Sequence, residues 1–112
     1  MSSEQPYFVV LVTAPDVEAA RKLAAATLEP RLVACANIIT GVESHYWWQD
    51  KLESASETLI IFKTAKDCLA DLEKVILANH PYDTPEFIAI PINSGNARYL
   101  SWIRRETARK TL

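Results

Sequence analysis

Two segments, Phe8-Val9-Val10-Leu11 and Leu59-Ile60-Ile61-Phe62, are apolar at every consecutive position. Side chains alternate between the two sides of a strand, so strands of this composition need apolar neighbours on both sides of their sheet. A chain of 112 residues, 49% hydrophobic and 23% charged, holds one compact domain with a sizeable core and has no room for two. If its helices cover one side of a sheet, the other side is a large apolar patch, which a lone soluble chain rarely exposes. Self-association is the economical solution.

Periodicity and punctuation set out the elements. Tyr7 to Thr13 reads as a first strand closed by Ala14-Pro15. Asp16 caps a helix to about Leu28, with Val17, Ala20, Ala24 and Leu28 inward, and Pro30 takes Glu29 out of the helical region. Leu32 to Ser44 is a long strand with a bulge or bend at Gly41, His45 to Glu53 a hairpin end, and Glu57 to Thr64 the return strand. Thr64, with Asp67 three positions on, has the spacing of a cap for a second helix to about Ala78, with Leu69, Leu72, Val75 and Ile76 inward. Pro85 to Ile92 is a last strand, with Pro91 at an edge or strand end because it has no N–H to donate. Ala97 to about Thr107 is a third helix, with Tyr99, Leu100, Trp102 and Ile103 toward protein and Arg98, Arg104 and Arg105 toward water. The order is the split βαβ of an α+β, ferredoxin-like βαββαβ sandwich with a C-terminal helix. One domain spans residues 1–112, with 1–5 and 109–112 expected to be flexible.

Several function classes drop out. A net charge of -2 and a pI near 5.6 argue against a partner gripped through phosphates, so no nucleic-acid partner is expected. No apolar stretch approaches the ~20 residues that cross a bilayer. Met1 to Pro6 lacks the basic start and apolar core of a secretory signal, so the cytoplasm is the expected compartment. Arg98, Arg104, Arg105, Arg109 and Lys110 read as a solvated helix face, and Cys35 and Cys68, without CxxC spacing, as free buried thiols. With only 2 Gly there is neither a P-loop nor a dinucleotide fingerprint, and no GxSxG occurs. His45 and His80 are too isolated for a HxxxH or HExxH site, and Glu53, Glu57 and Glu86 read as solvated strand-end carboxylates. No catalytic residue and no required cofactor are expected.

Two stretches are less ordinary. In His80-Pro81-Tyr82-Asp83-Thr84-Pro85-Glu86, two prolines fix the backbone around a Tyr, a Thr and two acids, which makes either an ordered connection or the wall of a site. Tyr46-Trp47-Trp48 is either a ligand-stacking surface or an interface anchor, and the interface is favoured because aromatics dominate contacts between chains.

These two stretches come in order with Thr13-Ala14-Pro15, Leu32-Val33-Ala34-Cys35-Ala36-Asn37-Ile38, a hairpin continuing to Lys51-Leu52-Glu53, and Tyr99-Leu100-Ser101-Trp102. Over nearly the whole chain they resemble the CutA divalent-cation tolerance proteins. The resemblance implies a ferredoxin-like fold in a tight homotrimer, whose long hairpins extend each sheet onto a neighbour, and a loose link to copper tolerance. Copper ligation proposed for that family uses a Cys before Thr-Ala-Pro and a His-His pair before Pro-Tyr. Here those positions hold Val12 and Asn79-His80, so His80 alone carries over as a metal candidate. Gln49-Asp50 stands where many members have Gly, which implies a wider turn, and Cys35 matches a family cysteine of a core strand. The expectation is a cytoplasmic, non-enzymatic homotrimer that binds copper or another divalent cation weakly at most. The alternative is a trimeric small-molecule sensor or scaffold with its ligand in an intersubunit cleft; Tyr46, Trp47, Trp48, Tyr82, Glu86 and Trp102 are the cleft or interface candidates. Acyl-phosphate hydrolysis, known among ferredoxin-like domains, ranks last because no Gly-rich loop with an Arg occurs.

Overall fold

The computed structural model describes residues 5 to 107; the expected flexibility of residues 1–4 and 109–112, and the placement of Arg109 and Lys110, lie outside the described residues. The elements are β1 (Tyr7–Ala14), α1 (Val17–Leu28), β2 (Cys35–Trp48), β3 (Lys51–Ala65), α2 (Leu69–Asn79), β4 (Ile88–Pro91) and α3 (Ala97–Thr107). The strands form one antiparallel sheet in the order β2-β3-β1-β4. This is the α+β, ferredoxin-like arrangement, with Pro91 at the end of an edge strand.

The covered side of the sheet follows from strand alternation. Register pairs Val10 with Phe62 and Val12 with Ile60, and all four are fully buried. Leu23 of α1 and Leu72 and Ile76 of α2 close over them as one core. Asp16 caps α1 as expected, its carboxylate accepting the Ala19 N–H at 2.8 Å. The inner face of α1 is Ala20, Leu23, Ala24 and Thr27, while Leu28 is exposed. Thr27 is tolerated there because its hydroxyl donates to the Leu23 carbonyl at 2.9 Å.

Three local expectations are corrected. Glu29 keeps helical angles despite Pro30, its N–H donating to the Ala25 carbonyl, and the chain leaves the helix at Arg31, whose φ of 60° is left-handed. Thr64 is not a helix cap: it is buried in β3 and its hydroxyl donates to the Leu32 carbonyl at 2.6 Å. The chain turns instead through a 3-10 segment, Lys66–Cys68, with Ala65 at its N-cap position. On α3, Ile103 and Thr107 are buried, but Tyr99 remains exposed and reaches over the Lys63 ammonium at 5.9 Å. Arg104 reaches water as expected and there donates to Asp67 at 3.3 Å in an exposed ion pair.

The other side of the sheet meets a helix only at one end, where Tyr99 and Arg104 of α3 lie beside Lys63 and Tyr7. Val9 pairs with Ile90 and Leu11 with Ile88 and Ile61, forming an apolar field in which Ile88 and Ile90 are nearly half exposed. Cys35 lies at the margin of this side opposite Lys63, half-buried, whereas Cys68 is buried as expected. Neither is in a disulfide, and the Cys68 thiol donates to the Thr107 carbonyl at 3.8 Å.

Beyond the sheet, β2 and β3 continue as a two-stranded arm. The expected irregularity falls at Gly41, φ +77°, where the register shifts between Ile39 and Val42. The tip is tighter than expected: Trp48 pairs with Lys51, and Gln49 and Asp50 alone make the turn, with φ 50° and 63°. Two successive left-handed residues match the right-handed twist of the flanking strands, so a short turn forms even without Gly.

Candidate functional site

His80 leaves α2 in an extended conformation, which turns its ring under the following loop. Its Nε2 lies 2.7 Å from the Thr13 carbonyl, which only accepts, so that nitrogen carries the proton and donates. Nδ1 then accepts the Tyr82 N–H at 3.1 Å, and the ring packs at 4.8 Å on that of Tyr82. The imidazole is thus neutral and both nitrogens are engaged within the chain. A cation at His80 has to displace one of these bonds.

Tyr82 passes the connection on. Its hydroxyl donates to Glu57 Oε2 at 2.7 Å, tying the loop to β3. Burial, then the hydrogen bond and charge of Glu57, push the Tyr82 hydroxyl above the ordinary phenol range, so it stays a donor. Burial, then the charge of Glu57, raises the Glu86 carboxyl. Glu57 and Glu86 are therefore not the independent solvated carboxylates expected of strand ends.

Between the arm and this loop lies a concavity of about 750 Å³. Tyr46 and Trp48 alternate onto one face of β2, and Glu53, paired with Tyr46, shares that face; Tyr82 and Glu86 form the opposite wall. Of the sequence candidates, the structure brings Tyr46, Trp48, Tyr82 and Glu86 together here. Trp47 points to the other face of the arm beside Leu52, its cross-strand partner, and is 72% exposed. Trp102 stays on α3, its ring 5.4 Å from that of Tyr99. His80 sits beneath the wall and positions it. Glu57 is the residue whose part in the wall the sequence reading missed, because its partner Tyr82 is 25 positions away and no local spacing joins them.

Among the described residues no group of three His, Cys, Asp or Glu side chains converges to hold a metal ion. Cys35 has its Sγ at 3.5 Å from Asn37 Oδ1 and takes no part in the concavity. Among the described residues no helix is long and apolar enough to cross a membrane.

Comparison with known proteins decides the family. The model of the "CutA1 divalent ion tolerance protein" family matches residues 8–106. The chain belongs to the CutA1 family. Among its CutA relatives, "Protein CutA 1, chloroplastic" of Oryza sativa subsp. japonica is 44% identical over 95% of this chain and 60% of that protein. "Protein CutA, chloroplastic" of Arabidopsis thaliana is 45% identical over 95% of this chain and 58% of its own length, so the chain spans about three fifths of these plant relatives. The "Divalent-cation tolerance protein CutA" of Thermus thermophilus is 43% identical over 88% of this chain and 96% of that protein. The crystal structure of CutA1 from Oryza sativa superposes with a TM-score of 0.88 at 44% identity, covering 95% of this chain and 97% of that one.

Proposed function

We propose that this chain acts as a cytoplasmic, non-enzymatic homotrimer in divalent-cation tolerance, binding copper or another divalent cation weakly at most. The observation that carries the reading is the open side of the sheet, where Val9, Leu11, Ile61, Ile88 and Ile90 make an apolar field that the described residues leave partly exposed, Ile88 and Ile90 most of all. The exposed arm, with Trp47 at 72%, supplies the aromatic anchors that buried interfaces favour. The contacts belong to the obligate class, upward of roughly 2,000 Å² in total. Weak cation affinity follows from His80: each hydrogen bond given up by its ring costs about 1 kcal/mol before any metal bond forms. The name of the Thermus thermophilus relative supports the cation-tolerance reading.

Light scattering and copper calorimetry test it. The expected result is a particle near three times 12.6 kDa and a copper affinity of roughly micromolar or poorer that falls with His80→Ala. A 12.6 kDa particle at micromolar concentration overturns the assembly. Nanomolar copper affinity that survives His80→Ala overturns the assignment of the cation to His80. A second reading, a trimeric small-molecule sensor or scaffold, is favoured by the concavity of about 750 Å³, which is larger than a metal ion needs.

A further inference from the structure

We propose that the concavity between the arm and the His80–Glu86 loop binds a small organic cation, an amine or guanidinium lying against Tyr46 and Trp48 and held by Glu57 and Glu86. The inference rests on the second reading above, that this concavity is a ligand site, and assigns the class of ligand. Three features of the wall point the same way.

The first is shape and surface. Tyr46 and Trp48 stand on one face of β2 with 40% and 55% of their surface open in the single chain, beside a space of about 750 Å³. Aromatic faces carry negative potential and attract a cation placed over them, more strongly as water is excluded. The second is charge. The lining includes five carboxylates, Glu57 and Glu86 among them, and neither Lys nor Arg; its one imidazole, that of His45, is already held by Glu43 at 2.6 Å. The wall therefore repels anions and leaves its own charge unbalanced.

The third is the distribution of that charge. The carboxylates stand on both the arm and the loop, and among the described residues no three His, Cys, Asp or Glu groups converge on a point. An ion such as copper or zinc needs convergent donors. A cation with an apolar body, several ångströms long, meets separated carboxylates and an aromatic face at once. Tyr82 makes the arrangement firm: its hydroxyl holds Glu57 Oε2 and its N–H is held by His80, so the acidic wall is set before a ligand arrives.

The test uses the full chain and three molecules of matched length: 1,4-diaminobutane, 1,4-butanediol and succinate. Each is titrated by calorimetry and tryptophan fluorescence in about 0.15 M NaCl, where loose surface attraction is screened. The expected result is saturable binding of the diamine alone, weakened about tenfold by Glu57→Gln and by Trp48→Leu. Glu57→Gln retains an oxygen for the Tyr82 hydroxyl, and unchanged light scattering confirms that each variant keeps its assembly. If the diol or succinate binds as tightly as the diamine and Trp48→Leu removes that binding, the ligand class is wrong while the concavity remains a site. Displacement of the diamine by an equal concentration of MgCl2 likewise overturns the organic class. If nothing saturates, or if saturation is the same in both variants, the inference and the reading beneath it fail together.

Discussion

Strand β3 passes through two environments. From Thr58 to Thr64 it alternates buried and half-buried residues, whereas from Lys51 to Ser54 it is exposed on both faces. In the first half the chain's own helices complete the packing, so Ile60 and Phe62 are explained within one molecule. In the second half Leu52 and its partner Trp47 are 66% and 72% exposed, and nothing among the described residues covers their apolar surface. The difference separates residues that hold the chain together from residues that the proposed trimer would have to cover. The open side of the sheet falls in the second class.

The sharpest way to break this comparison is a charge on the uncovered side. Leu11→Glu leaves the helix-covered core untouched but puts a carboxylate in the middle of the apolar field, between Ile61 and Ile88. An isolated buried charge is far more costly than any contact it replaces. Assembly is expected to be lost, with light scattering falling to the mass of one chain while circular dichroism keeps its helix and strand signal. If the particle size does not change, the open side is not the interface.

On the other side of the sheet, Phe62→Ala is expected to cost about 3–5 kcal/mol, from lost burial and the cavity left behind. Denaturant unfolding checks it, with Trp47→Ala as the contrasting variant. For Trp47→Ala, loss should track protein concentration, because the residue contributes through association. A concentration-independent loss of similar size at Trp47 would erase the distinction between the two halves.

How far the sequence foretold these regions depends on whether a residue's partner is local. The helix spans, the bulge at Gly41 and the edge position of Pro91 follow from periodicity and backbone chemistry, which act within a few residues. Thr64 was misread as a cap because Thr and Asp67 have the right spacing; the competing partner, the Leu32 carbonyl, is 32 positions away. The link of Tyr82 to Glu57 escaped for the same reason, as did the two uses of the His80 ring, one of them 67 positions distant. Of the aromatic run, alternation separates Tyr46 and Trp48 from Trp47, but which face meets the loop is a matter of tertiary placement.

A smaller effect, and of opposite sign, is expected at the arm tip. Gln49 and Asp50 hold φ of 50° and 63°, a region that Asn and Gly adopt at lower cost. Replacing the pair by Asn-Gly is expected to stabilise the protein by about 0.5–1 kcal/mol, read as an upward shift in melting temperature. No gain would mean that contacts of the arm, not its backbone, fix the turn.

The smallest effect concerns pH and compares the loop wall with the core. Burial and the charge of Glu57 raise the Glu86 carboxyl in the folded protein, so the fold binds this proton more readily than the unfolded chain. Its contribution is fully present below the ordinary Glu value of 4.5 and is lost as pH rises through the folded value. At pH 7 the ionised Glu86 therefore works against folding, by a small amount because water reaches the carboxyl and screens it. Glu86→Gln removes that opposition without removing the side chain's volume. The variant is expected to melt slightly above the parent at pH 7, and the gap should close as pH falls toward 4.5. Glu57→Gln should narrow the same gap, since it removes the charge that contributes to raising Glu86. Phe62→Ala, which changes no titrating group, should shift melting by the same amount at every pH in that range. A Glu86→Gln difference that is equally flat would show that the carboxyl is as well solvated as those of the arm, and that the acidic wall carries no strain for a ligand to relieve.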